Sequence, residues 1–101
     1  MIKLKYLPLA LKDLTNITDY IVYTLKAPKA ALDLINEFDK SISHLQQFPY
    51  SCRAYQPIEK LETEYRMLPI RNYLVFYLVT DQNVEIHRII FGRMDINKII
   101  K

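Results

Sequence analysis

EYRMLPIRNYLVFYLVTDQNVEIHRIIFGRMD, residues Glu64–Asp95, carries the strongest strand signals of the chain. Leu74–Val79 is an unbroken run of branched and aromatic apolar residues, the composition that strands favour. Asp81-Gln82-Asn83 supplies a polar turn, and Val84–Phe91 returns with charges at alternate places. The pattern predicts a β-hairpin. Arg66, Arg71, Arg88 and Arg93 are spread through the unit, with Asp81 and Glu85 as its interior acids. A β-unit of this kind presents either a solvated sheet face or a surface for polyanions.

Working outward, Tyr65–Leu68 reads as a short strand ended by Pro69, and Tyr73–Thr80 and Val84–Phe91 are the arms of the hairpin. Ile96–Ile100 is a terminal turn or strand. At the other end, Ile2–Tyr6 alternates apolar Ile2, Leu4 and Tyr6 with Lys3 and Lys5, a half-buried strand closed by Pro8. From Leu11 the period changes. Leu11, Leu14, Ile17, Ile21 and Leu25 recur at helical spacing, which predicts one amphipathic helix. Pro28 ends that pattern and can begin another, in which Ala31, Leu34, Ile35, Phe38, Ile42 and Leu45 form the apolar stripe. Helices joined by so short a link form an αα-hairpin. Phe48-Pro49-Tyr50 stops the second helix, and Ser51–Leu61, with no clean period, reads as a loop. The order is β-α-α-β-β-β. Helices followed by neighbouring strands predict an α+β domain, a helical hairpin packed on an antiparallel sheet.

Composition sets the outer limits. A chain of 101 residues, 50% hydrophobic with 1 Gly and 5 Pro, is expected to form a single ordered domain over 1–101. No apolar run approaches the roughly 20 residues of a membrane helix. The charged opening Met1–Lys5 does not read as a secretory signal, and the lone Cys52 cannot form an internal disulfide, so a cytoplasmic protein is expected. Fourteen basic against eleven acidic residues leave a net charge of +3, too mild by itself to imply nucleic-acid binding.

In Tyr73–Val79 both alternating sets are apolar, so this strand should be central. Leu74, Phe76 and Leu78 are the expected helix-facing set, because a tyrosine hydroxyl needs a partner when buried. That assignment puts Arg66, Tyr73, Tyr77, His87 and Arg93 together on an open face. Such a basic and aromatic surface suits single-stranded nucleic acid, although wet sheet faces carry the same residues without function.

Little chemistry competes for the chain. One Cys and two His on different elements, His44 and His87, make no metal set, and Gly92 alone cannot build a phosphate loop. No cofactor is implied. Cys52 lacks an identifiable base, and as a loop residue its ordinary role is packing. Phosphodiester cleavage would need cations for the phosphate and a group to move the 2′-hydroxyl proton. Arg66 and Arg93 fit the first role, while Glu64, Glu85, His87 and Tyr73 are open alternatives for the second.

KYLPLALKDL (5–14), YRMLPIRNYLVFYLV (65–79) and EIHRIIFGRMD (85–95) resemble, in order and spacing, the RelE/ParE superfamily of toxins from bacterial type II toxin–antitoxin modules. The resemblance covers nearly the whole chain. It implies a helical hairpin on an antiparallel sheet and a cognate antitoxin as partner. An amphipathic antitoxin segment is expected to lie against the toxin's apolar and basic surface. RelE-like members are ribosome-dependent ribonucleases that cut mRNA, whereas ParE-like members poison DNA gyrase. Arg66 falls where RelE-like toxins place a phosphate-binding lysine, and Arg93 matches the arginine after the glycine of the last strand. Tyr73 stands where they have a catalytic arginine, and Asp95–Lys101 lacks their terminal tyrosine. The long helical hairpin and the ending FGRMDI look more like ParE relatives, whose last strand often reads ILHGRRD, with Phe91 and Met94 departing. The resemblance therefore implies a ParE-like toxin directed at gyrase. The alternatives are a ribonuclease using Arg66, Tyr73, His87 and Arg93 as a variant catalytic set, and a non-toxic binding relative.

Overall fold

In a computed structural model of the protein, residues 2–52, 54 and 65–92 are described. Strand β1 (Lys3–Tyr6) is followed by α1 (Pro8–Asp19), which widens into a π-helical turn over Tyr20–Thr24, and then by α2 (Pro28–His44). Strands β2 (Arg66–Ile70), β3 (Tyr73–Val79) and β4 (Asn83–Phe91) complete the order. Arg93, Glu64, Ile96–Ile100 and most of the expected loop Ser51–Leu61 lie outside the described residues.

Both helices start at a proline, whose fixed φ suits the first turn and whose missing N–H is not needed there. The first helix does not keep one period to Leu25. After Asp19 the bonding lengthens, with the Leu25 N–H donating to the Tyr20 carbonyl, and Lys26 at φ 53° closes the end through Ala27 N–H to Ile21 O, 2.9 Å. Such a closure ordinarily favours glycine at the left-handed position. The wider turn shifts the helical phase from Tyr20 onward. Ala10 and Ile21 are buried and Leu14 and Ile17 half-buried, while Leu11 and Leu25, expected on the stripe, are exposed.

The sheet order is β1-β4-β3-β2. β2, β3 and β4 pair antiparallel, but β1 lies parallel to β4, from Lys3 against Asn83 to Tyr6 against Ile86. The sheet is thus mixed, not wholly antiparallel. Two helices between β1 and β2 carry the chain across the sheet, so β1 settles beside the last strand, running the same way. β3 is central, as its two apolar faces require. β2 runs through Pro69 to Ile70 instead of ending before it, because an edge strand tolerates the missing N–H. Arg71-Asn72 turns β2 into β3 with Arg71 at φ 53°, and an ion pair from Arg71 to Glu37 ties that turn to α2. At the other turn Thr80 and Asn83 exchange backbone and hydroxyl hydrogen bonds of 2.8–3.1 Å.

The core lies between helices and sheet. Ala31, Leu34, Phe38 and Ile42 from α2 meet Val75, Tyr77, Val84, Ile86 and Ile89 from the sheet. The helix-facing set of β3 is therefore Tyr73, Val75 and Tyr77, opposite to the expected Leu74, Phe76 and Leu78. Burial of Tyr77 is tolerated because its hydroxyl donates to the Pro49 carbonyl at 3.0 Å. The face away from the helices is closed at its centre too, since Phe76 is fully buried and Ile90 nearly so.

β4 outruns its parallel neighbour. The Leu7 N–H still reaches the Ile86 carbonyl, but Pro8 then turns the chain into α1. Beyond that point Asp13 of α1 takes over. Its carboxylate accepts from Arg88 Nε at 2.7 Å, from Arg88 Nη2 at 3.0 Å and from the Ile89 backbone N–H at 3.0 Å. One carboxylate thus replaces a missing strand. It also lifts the Arg88 guanidinium further above its ordinary range, the hydrogen bond outweighing the opposing effect of burial.

Asp13→Ala should strand a half-buried guanidinium and a backbone N–H together, at a cost of about 2–4 kcal/mol. Urea unfolding will check this. The double change Asp13→Ala/Arg88→Met should recover part of the loss, since the orphaned charge goes with it. A loss below about 0.5 kcal/mol for the single variant would mean the carboxylate does not hold β4.

Candidate functional site

Among the described residues, those singled out by sequence fall on two sides of the sheet. Arg66 opposes Tyr77 in the β2–β3 register, and Tyr77 faces the helices. From there Arg66 Nη1 donates to the Cys52 carbonyl at 2.7 Å, and its guanidinium lies 4.8 Å from the centre of the Tyr50 ring. Arg66 therefore ties the segment after α2 to the edge of the sheet, combining a charge-assisted hydrogen bond with a cation–π contact.

Tyr73 is also on the helix side. Its ring meets Phe38 of α2 and Phe91 of β4 edge-on, each with centroids 5.8 Å apart. An aromatic stack of this kind packs the margin of the core.

His87 belongs to the opposite face. Val84 and Ile86 are buried against the helices, so Glu85 and His87 alternate away from them. The register with β3 then shifts. Phe76 pairs with Arg88 but Tyr77 with Ile86, leaving His87 as the extra residue of a β-bulge. Its imidazole bridges two neighbours, Tyr65 Oη to Nδ1 at 3.4 Å and Glu85 Oε1 to Nε2 at 3.3 Å. The Tyr65 and His87 rings also meet edge-on at 5.3 Å. The expected shared face of Arg66, Tyr73, Tyr77 and His87 is thus corrected to two faces, three residues on the helix side and His87 on the other. Arg93 falls outside the described residues.

Tyr65–His87–Glu85 is a constellation that the sequence does not announce as a unit. Glu85 and His87 are each legible as proton-transfer groups, but only the register brings Tyr65 to them. In chemical terms a carboxylate orients an imidazole that faces a phenol, an arrangement able to relay a proton. Among the described residues no three or more His, Cys, Asp or Glu side chains converge as a metal site, and no helix is long and apolar enough to cross a membrane. A groove of about 650 Å³ runs between α2 and β2, lined by Asn36, Glu37, Lys40, Ser41, His44 and Leu68. Arg66, Tyr73 and His87 take no part in its wall.

Comparison with known proteins gives concordant results. A family model described as "ParE toxin of type II toxin-antitoxin system, parDE" matches residues 4–96. Among solved structures, a chain described as "Chromosomal ParDE TA system from P. aeruginosa" is similar with a TM-score of 0.73 and 26% identity, covering 90% of this chain and 96% of that one. No curated protein matches.

Burying Tyr77 has a pH signature. Desolvation, foremost, pushes its phenol well above the ordinary value of 10.0, and Tyr6 is raised in the same way by burial and by Asp39. Above pH about 10 the unfolded chain therefore releases protons that the folded chain keeps, and stability falls as pH rises. Each such phenol contributes up to about 1.4 kcal/mol per pH unit. Urea unfolding from pH 8 to 11 should show this decline, and Tyr77→Phe should make it shallower while costing about 1 kcal/mol at neutral pH. An unchanged slope in the variant would contradict the assignment.

Proposed function

The chain belongs to the ParE toxin family of type II toxin–antitoxin systems, and we propose that the target of this toxin is DNA gyrase in the bacterial cytoplasm. The observation that carries the proposal is the dispersal of the candidate ribonuclease groups. Arg66 is spent on Cys52 and Tyr50, and Tyr73 on Phe38 and Phe91, on one side of the sheet. His87 is held by Tyr65 and Glu85 on the other. Phosphodiester cleavage needs its cation and its proton-transfer group within reach of the same phosphate, and two sides of one sheet do not offer that. Inhibition by binding asks for no such convergence. It asks for surface, and the helical hairpin offers it at Tyr20, Tyr23, Leu25 and Leu32, all more than half exposed.

A second reading draws on the Tyr65–His87–Glu85 line, the arrangement that could move a 2′-hydroxyl proton if the ribosome supplied the phosphate-neutralising cations. It makes the protein a ribosome-dependent mRNA endoribonuclease.

The two readings separate in one pair of assays on the purified toxin. In the gyrase reading, supercoiling of relaxed plasmid is blocked, translated mRNA stays intact, and His87→Ala leaves the inhibition within about twofold. Unaffected supercoiling together with mRNA loss that His87→Ala abolishes would overturn it.

A further inference from the structure

We infer that Phe48 and Tyr50, together with Lys40 of α2, form a nucleotide site in which the two rings take the base and the ammonium takes the phosphate. The inference does not depend on which target the toxin has.

The aromatic shelf is held firmly and is nevertheless exposed. Phe48-Pro49-Tyr50-Ser51 is a turn closed by the Ser51 N–H donating to the Phe48 carbonyl at 3.1 Å, with proline at its second position. The Phe48 N–H donates to the His44 carbonyl at 3.1 Å, and the Pro49 carbonyl accepts from the buried Tyr77 hydroxyl at 3.0 Å. Just beyond, the Cys52 carbonyl accepts from Arg66. Each ring is also braced. The His44 ring lies 4.9 Å from Phe48 between centroids, and the Arg66 guanidinium lies 4.8 Å from the centre of the Tyr50 ring. Phe48 and Tyr50 still remain 53% and 65% exposed. They line a hollow of about 610 Å³ with His44, Pro49 and Ser51. Aromatic rings fixed in place before a ligand arrives stack a planar group at little cost in entropy.

The groove between α2 and β2 supplies the complementary charge, and His44 lines both that groove and the hollow. Within the groove Lys40 precedes His44 by four residues, about 6 Å along the helix axis. No carboxylate pairs with Lys40 among the described residues, and Glu37, the acid of the same wall, is already paired with Arg71. Asn36 and Ser41 add an amide and a hydroxyl beside it. An ammonium without a counter-ion calls for an anion, and the shelf calls for a flat ring about one sugar away. A nucleotide carries both. Its source is either a free mononucleotide or one unit of a single strand, because bases of a strand stack on aromatic side chains in the same way.

The test titrates the purified toxin with adenosine, adenosine 5′-monophosphate and a short deoxyadenosine strand, followed by NMR. The monophosphate should shift the Lys40, His44, Tyr50 and Ser51 amides and the Phe48 and Tyr50 ring protons, and should bind about tenfold tighter than adenosine. Tyr50→Ala should weaken it about fivefold or more, while Tyr50→Phe should bind as the unaltered toxin does. Lys40→Gln should bring the monophosphate to within about twofold of adenosine and leave adenosine binding unchanged, whereas Lys40→Arg should keep the preference. Tighter binding of the strand assigns the site to nucleic acid, and tighter binding of the monophosphate assigns it to a free nucleotide; either supports the site. Absence of these shifts with both at millimolar concentration overturns it, as does an undiminished phosphate preference in Lys40→Gln. Shifts of the same residues by the antitoxin encoded beside the toxin, but by no nucleotide, overturn it in favour of a protein contact.

Discussion

The Asp13 carboxylate holds the half of β4 that has no strand on its outer side. With β1 ending at Tyr6, the outer edge of β4 beyond Ile86 would be bare, and a bare edge next to a bulge can slip by a residue. Three hydrogen bonds from Arg88 and Ile89 to one α1 side chain fix it in place. The arrangement beyond the bulge depends on that anchor: Ile89 turns to the helices opposite Val75, Ile90 pairs with Leu74, and Phe91 meets Tyr73. The extra residue, His87, is left on the far face with Glu85 and Tyr65. A short-range polar clamp between a helix and a strand edge thus decides which side chains share a surface across the whole sheet.

The order of elements is legible in the chain because each rests on a local signal. Pro8 and Pro28 mark helix starts, Leu74–Val79 is apolar in both alternating sets, and Asp81–Asn83 interrupts it with turn residues. The family resemblance is carried by the same segments. Facing is not legible. Both sets of β3 are apolar, so the choice turns on where a tyrosine hydroxyl can find a partner, and the Pro49 carbonyl that accepts from Tyr77 is 28 residues away in the chain. The bulge is equally silent, since nothing in Glu85–Ile89 announces that two residues oppose one. Asp13 reads as an ordinary solvent-facing helix residue. Only the parallel placement of β1, itself a tertiary outcome, brings α1 across β4.

Those unread features are the ones that bear on function. Arg66 and Tyr73, expected on an open basic and aromatic face, make their contacts on the helix side of the sheet, with α2, the segment after it and β4. Their chemistry is used for packing: a guanidinium laid over Tyr50 and a phenol ring wedged between two phenylalanines. The match over residues 4–96 places the chain in the ParE toxin family.

Arg66 and His87 are sorted onto opposite sides of the sheet, and double-mutant cycles on unfolding free energy measure that sorting. Tyr65 and His87 should couple by about 0.5–1 kcal/mol, as contacting residues do, whereas Arg66 and His87 should add within about 0.3–0.5 kcal/mol. Strong coupling between Arg66 and His87 with none between Tyr65 and His87 would contradict the account.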